Sequence, residues 1–255
     1  MAWGMFCWIP CPYKEWRMED RKAQIAMFPL VGTFIGVIVC LCWWLLDVLG
    51  CSSLLTGALL TGAYFLLTGF IHIDGFMDCS DAVMPRHPQM DERRRILKDP
   101  HSGSFAVVCL VIMLIVFTAS MAEIAPKFSI ANCSLLVVIF TASRTISALE
   151  VLMRPPMETS QYRQLEDPGR VRDTIPAIII LIIVLGISEL ILSGMSWYAL
   201  IGEIYSNVIA LTVMTAAFIT CSIDIRKLGG MSGDISGHMI TISELFGVIV
   251  MALII

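Results

Sequence analysis

What most constrains this chain is a succession of apolar runs, each near or above the roughly 20 residues an α-helix needs to cross about 30 Å of hydrocarbon. They fall at about 28–49, 52–73, 105–124, 130–153, 174–193, 197–221 and 237–255. Inside a bilayer every backbone N–H and C=O must be satisfied within its own segment, so such runs fold as helices. The expectation is an all-α polytopic membrane bundle of about seven transmembrane helices, forming one membrane domain over 1–255. Composition agrees, since 57% of residues are hydrophobic and 15% charged, with a mean hydropathy of +0.82. That balance excludes an ordinary soluble domain. A net charge of −4 gives no sign of a nucleic-acid partner.

The basic residues orient the bundle. Apart from Lys127 and Arg144, every Lys and Arg lies before the first span or in the segments after the second, fourth and sixth spans. This asymmetry predicts that the N-terminus and the segments 74–104, 154–173 and 222–236 face the cytoplasm. The chain is then a cytoplasmic (inner) membrane protein with almost all its polar sequence on one side. Trp3, Phe6 and Trp8 in the N-terminal segment 1–27 suit the membrane interface. The nine cysteines form no C-x-x-C pair and read as small hydrophobic fillers.

Where the second apolar run gives way to polar sequence, Thr68–Asp81 reads T-G-F-I-H-I-D-G-F-M-D-C-S-D. Asp74, Asp78 and Asp81 are spaced i, i+4, i+7, so a helix continuing through them carries all three on one face over about 10 Å. Clustered carboxylates call for a cation, and hard oxygen ligands of this kind suit Mg²⁺, which completes its shell with water and phosphate. The bland alternative is a solvated helix cap. His72 points away from that face on a continuous helix, unless the chain unwinds at Gly75.

Other features point the same way. Lys98, Asp99 and Gly103, at the entrance to the third span, are a phosphate-binding candidate. Leu228–Gly237, L-G-G-M-S-G-D-I-S-G, places Gly229, Gly230, Gly233 and Asp234 just before the last span. Four glycines beside an acid favour a backbone that approaches a ligand closely. Arg144 and Glu244 are charges within spans, where burial is costly and residues face the bundle interior or a cavity; the alternative is that they pair with each other. Segment 154–173 reads as an irregular loop, or a lid. Gly32 and Gly36 allow a close helix approach in the first span.

These motifs, together with F-P-L-V-G-T-F-I-G (Phe28–Gly36), I-L-K-D-P-H-S-G (Ile96–Gly103) and Ser143-Arg144, resemble the cobalamin synthase family, the adenosylcobinamide-GDP ribazoletransferases. The resemblance implies a Mg²⁺-dependent membrane enzyme that joins α-ribazole, or its 5′-phosphate, to adenosylcobinamide-GDP, giving adenosylcobalamin or its phosphate and releasing GMP. In that reading Asp74, Asp78 and Asp81 hold the metal, and His72 or one of the acids is the base. Lys98, Asp99, Gly103, Arg144, Gly229, Gly230, Gly233, Asp234 and Glu244 bind substrate. The chain departs from the family pattern at Phe70, where a second glycine is usual, at Pro100-His101, at His238 in place of a small residue, and in the 154–173 loop. The rival readings are a CDP-alcohol phosphotransferase, whose D-G-x-x-A-R opening is absent here, and a cation- or proton-coupled transporter using Arg144 and Glu244. The sequence leaves homo-oligomerisation open.

Overall fold

The computed structural model describes residues 21–86, 89–165, 169–193 and 199–255. The expected interfacial segment lies mostly outside them, apart from a short helix α1 (Arg21–Ala26) that runs into α2 (Phe28–Val48). Then follow α3 (Ser53–Leu67), α4 (Ile71–Val83), α5 (Met90–Ile96), α6 (Ser104–Ile124), α7 (Ile130–Met153), α8 (Ile175–Ser193), α9 (Ala199–Leu228) and α10 (Gly233–Ile254). The fold is an all-α membrane bundle: six helical segments are long and apolar enough to span a bilayer, and the bent pair α3–α4 makes up to seven.

The centre of the bundle is α7, whose most apolar stretch is 89% buried. Small residues let its neighbours come close. A Cβ on Gly32 of α2 would collide with the Phe140 carbonyl oxygen, and one on Gly36 would stand 3.0 Å from the Val137 Cα. The glycine pair in the first span is therefore the contact surface between α2 and α7. Gly57 of α3 meets the backbone of Ala122 on α6 in the same way, at 2.5 Å. In lipid, where burial of apolar groups gives no drive to associate, such close backbone packing is what holds helices together. The outer faces carry exposed Leu41, Ile115 and Ile182, as a lipid-facing surface should.

Two segments depart from the sequence expectation. The second apolar run does not continue straight into the acids: it breaks at Thr68–Phe70, and α4 leaves α3 at 91°. Gly69 and Phe70 both take φ of 61°, the left-handed region that reverses a helix path. The 222–236 segment is not a glycine-rich loop but largely helix. α9 continues to Leu228, only Gly229–Ser232 form the turn, and α10 starts at Gly233, so Glu244 lies about three turns inside it.

The polar connections are tied together at one end of the bundle. Residues 154–173 are pinned rather than loose: Met157 N donates to Met231 O and Met231 N to Pro155 O, both at 2.9 Å. Arg94 Nε donates to Leu228 O at 2.7 Å, Lys227 Nζ to Val83 O at 3.1 Å, and Lys22 pairs with Asp173 at 3.0 Å.

A left-handed non-glycine residue costs about 1–2 kcal/mol. Phe70→Gly should therefore raise the thermal-unfolding midpoint in detergent by a few degrees, whereas Gly69→Val should lower it. A midpoint unchanged in both variants would mean that the bend does not depend on these dihedrals.

Candidate active site

The site is made where α4 crosses the start of α10. Both helices present glycine at the crossing: a Cβ on Gly75 would lie 2.7 Å from Asp234 O, and one on Gly237 would lie 3.1 Å from His72 O and 3.4 Å from Gly75 Cα. Thr241 Oγ1 adds a hydrogen bond to His72 O at 3.2 Å. This contact brings Asp234, in the first turn of α10, against the acid face of α4. Asp78 lies within electrostatic reach of Asp74, Asp234 and Asp81, and Asp234 within reach of Asp74. Asp74 is exposed and Asp78 and Asp234 are half-buried, so the cluster opens to solution. Ser232 caps α10 by accepting from Ile235 N, and the positive end of that helix dipole lies at the cluster.

The third acid of the motif has another task. Asp81 accepts from the backbone N–H of Gly103 at 2.6 Å and of Ala106 at 2.9 Å, so its carboxylate caps α6 from outside. Gly103 is required there, because a Cβ would sit 2.6 Å from Asp81 Oδ1. Its N–H is thus given to Asp81 rather than left for a phosphate. Lys98 and Asp99 are exposed on the following turn. Asp99 receives hydrogen bonds from the His101 backbone N–H (2.9 Å) and ring Nδ1 (2.8 Å), which hold its carboxyl below the usual carboxylate range.

The glycines after α9 have protein neighbours. Gly229, at φ +85°, ends α9 where a Cβ would strike Arg94 Nη2, and Gly230 admits the backbone of Met157 at 2.7 Å. Gly233 faces the Gln161 side-chain nitrogen, 2.9 Å from a would-be Cβ. Segment 154–173 thereby contributes Gln161 and Tyr162 to the neighbourhood of Asp234. Tyr162 is buried, and burial pushes its hydroxyl up to about 12. Neither residue stands in a pattern that the sequence alone singles out.

Arg144 and Glu244 are fully buried and pair directly with each other. The other Glu244 oxygen accepts from the Tyr64 hydroxyl, and Ser143 Oγ donates to Oε1 at 2.6 Å. Tyr64 is stacked between Phe117 and Phe140, and the Arg144 guanidinium lies 5.9 Å from the Phe28 and Phe140 ring centres. The pairing alternative of the sequence reading is the one the structure takes. His72 is buried beside Phe28, ring centres 6.0 Å apart, on the inner side of α4 away from the open acid face. Its Nε2, and Arg144 Nε and Nη2, have no hydrogen-bond partner among the described residues.

A bundle of apolar helices that gathers carboxylates at one end, on a broken helix and a helix N-terminus, defines a polytopic membrane protein with its polar chemistry concentrated at the membrane edge. The chain belongs to the cobalamin-5-phosphate synthase family, whose pattern it matches over residues 1–252. It is 31% identical to an adenosylcobinamide-GDP ribazoletransferase of Clostridium perfringens (strain SM101), over 100% of this chain and 96% of the relative. Proteins of the same name from Lachnoclostridium phytofermentans (28% identity; 96% of this chain, 89% of the relative) and Pseudomonas fluorescens SBW25 (30%; 92% and 90%) are also similar. No solved structure matches.

Removing one partner of a buried ion pair strands the other and costs about 3–5 kcal/mol, whereas replacing both with apolar groups is often tolerated. Glu244→Leu should therefore unfold or strongly destabilise the protein, and Arg144→Met with Glu244→Leu should recover most of the loss in thermal midpoint. A double variant as unstable as the single one would show that the two charges act independently.

Proposed function

We propose that this chain is a Mg²⁺-dependent transferase that joins α-ribazole, or its 5′-phosphate, to adenosylcobinamide-GDP, giving adenosylcobalamin or its 5′-phosphate and releasing GMP. The observation that carries the reading is the convergence of Asp74, Asp78 and Asp234 at the open end of the α4–α10 crossing, in a member of this family. The residues fit the metal, because the donors are all hard carboxylate oxygens and no described cation pairs with Asp74 or Asp78. Asp74, Asp78 and Asp234 would hold it, with Asp81 adding negative charge while it anchors α6. When bound, the ion neutralises the diphosphate charge that develops as the phosphoanhydride bond breaks.

The remaining steps belong to the chain. A free carboxylate of the cluster accepts the proton of the attacking ribazole hydroxyl, a task for which His72 is badly placed because its ring is buried on the opposite side of α4. Lys98, on the exposed approach to α6, offers a point charge to the nucleotide phosphates. The pinned 154–173 segment brings Gln161 and the protonated Tyr162 hydroxyl beside Asp234, giving the acid face neutral donors. The basic asymmetry supports an orientation with this face in the cytoplasm.

The test is incubation of the purified chain with Mg²⁺, adenosylcobinamide-GDP and α-ribazole, reading GMP release. Asp78→Asn should lower turnover by orders of magnitude with the fold intact, and Asp78→Cys should regain part of it with Mn²⁺ or Cd²⁺, which accept a thiolate where Mg²⁺ does not. Asp81→Ala should chiefly reduce thermal stability, by about 1–2 kcal/mol, as loss of a helix cap does. Wild-type turnover in Asp78→Asn would remove the metal assignment, and absence of GMP with the wild type would remove the reaction.

The orientation has its own check. Single cysteines introduced at the exposed positions Met90 and Glu158, in a chain cleared of its native cysteines, should resist a membrane-impermeant thiol reagent added to intact cells and react once the membrane is opened. Labelling in intact cells would invert the topology.

A further inference from the structure

We propose that Cys79, Asp224 and His238 form a second metal site, distinct from the carboxylate cluster, for a borderline transition-metal ion of the Zn²⁺ class. The three side chains come from three helices, α4, α9 and α10, and one ligand atom of each lies within 4.8 Å of the others. Cys79 and Asp224 are buried and His238 is half-buried. His238 Nδ1 lies 2.6 Å from Asp224 Oδ2, and the imidazole rests against the Phe76 ring at 5.5 Å. A four-coordinate Zn²⁺ site, with Zn–S near 2.3 Å and Zn–N or Zn–O near 2.0 Å, holds its ligand atoms about 3.3–3.6 Å apart. To reach that geometry the His238–Asp224 pair must open by roughly 1 Å or a little less, and any pair near the 4.8 Å limit must close by roughly 1 Å or a little more.

The donor set decides the class of ion. One thiolate, one imidazole and one carboxylate suit Zn²⁺ or Co²⁺, whereas Mg²⁺ takes oxygen alone. The surroundings are acidic as well: Asp224, Asp234 and Asp78 lie within electrostatic reach of Cys79, and the nearby Lys227 is engaged by the Val83 carbonyl at 3.1 Å. A buried Asp224 carboxylate with a thiol for a neighbour on one side has a weak hydrogen-bond donor there, where a bound ion would supply a full partner. Three protein ligands leave a fourth position for water. Nothing in the spacing of residues 79, 224 and 238 announces the site, because only the folding of α4 against the α9–α10 hairpin assembles it. Its consequence is positional: an ion there ties α4, one residue beyond Asp78, to both helices of the hairpin and fixes the tilt of the acid face.

The experiment is titration of the chelator-treated full chain in detergent with Co²⁺. About one equivalent should give a near-ultraviolet thiolate-to-cobalt charge-transfer band and visible bands of tetrahedral cobalt. The near-ultraviolet band should disappear in Cys79→Ser, the visible bands should change in His238→Ala, and both should survive Cys221→Ser, Asp78→Asn and excess Mg²⁺. Zn²⁺ should raise the thermal-unfolding midpoint of the wild type and of Asp78→Asn by several degrees, and leave His238→Ala unmoved. A wild type without the charge-transfer band, or a band that survives Cys79→Ser, overturns the site. An intact cobalt spectrum in a catalytically dead Asp78→Asn keeps this site and the transferase reading separately testable.

Discussion

The structure depends on one backbone contact, the crossing of α4 and α10 at Gly75 and Gly237. With no side chain at either position the two helices come close enough for the Asp234 carbonyl to stand 2.7 Å from where a Gly75 Cβ would be. That distance sets everything above it. Any larger residue would push Asp234 away from the acid face and leave Asp74 and Asp78 as an isolated helix-surface pair. The crossing in turn requires α4 to run at 91° to α3, which the left-handed Gly69 and Phe70 provide. Backbone dihedrals at the membrane edge thus decide the geometry of a carboxylate cluster several residues on.

The interior shows the same economy with polar groups. Burying an arginine and a glutamate among apolar helices is tolerable when their charges meet, even though Arg144 Nε and Nη2 have no hydrogen-bond partner among the described residues. Glu244 is filled completely, by Arg144, Ser143 and Tyr64. Arg144 also donates to the Phe140 carbonyl at 3.1 Å, while Phe28 and Phe140 lie within 5.9 Å of its guanidinium carbon. This network links α3, α7 and α10 in mid-bundle, about three turns below Asp234 along α10.

How much of this is legible in the sequence follows from the range of each interaction. The spans are set by local composition, so the first, third, fourth and fifth apolar runs locate their helices within a residue or so. The second misses the break at Thr68–Phe70, and the sixth stops seven residues before Leu228. The spacing of Asp74 and Asp78 holds because both lie on one helix. The Gly32–Gly36 pair is visible as a spacing, although only the structure shows that it meets Phe140 and Val137. Asp81 is different: as the third acid of a regular motif it reads like its neighbours, yet its partners, Gly103 and Ala106, stand 22 and 25 residues away. Gln161 and Tyr162 reach the site only because the backbone at Met157 pairs with Met231, and no local pattern records that register. The bend at Phe70 is hidden for another reason. A bulky residue at a left-handed position runs against propensity, and the family's usual glycine there is the clearer signal.

The distribution of the positive charges gives the acid cluster its character. Of the cations near this end of the bundle, Arg94 and Lys227 are taken by helix C-termini, where the Leu228 and Val83 carbonyls are otherwise unsatisfied. Lys22 is held by Asp173 and Arg154 by Glu150, and Arg95 by Glu92. Each of these contacts stabilises a helix end or pins a connection, and none neutralises Asp74 or Asp78. Among the described residues, these five cations are thus engaged with partners other than Asp74 and Asp78. Carboxylates beside a helix N-terminus repel one another less when a divalent ion sits between them, which is the electrostatic ground for the metal proposed at Asp74, Asp78 and Asp234.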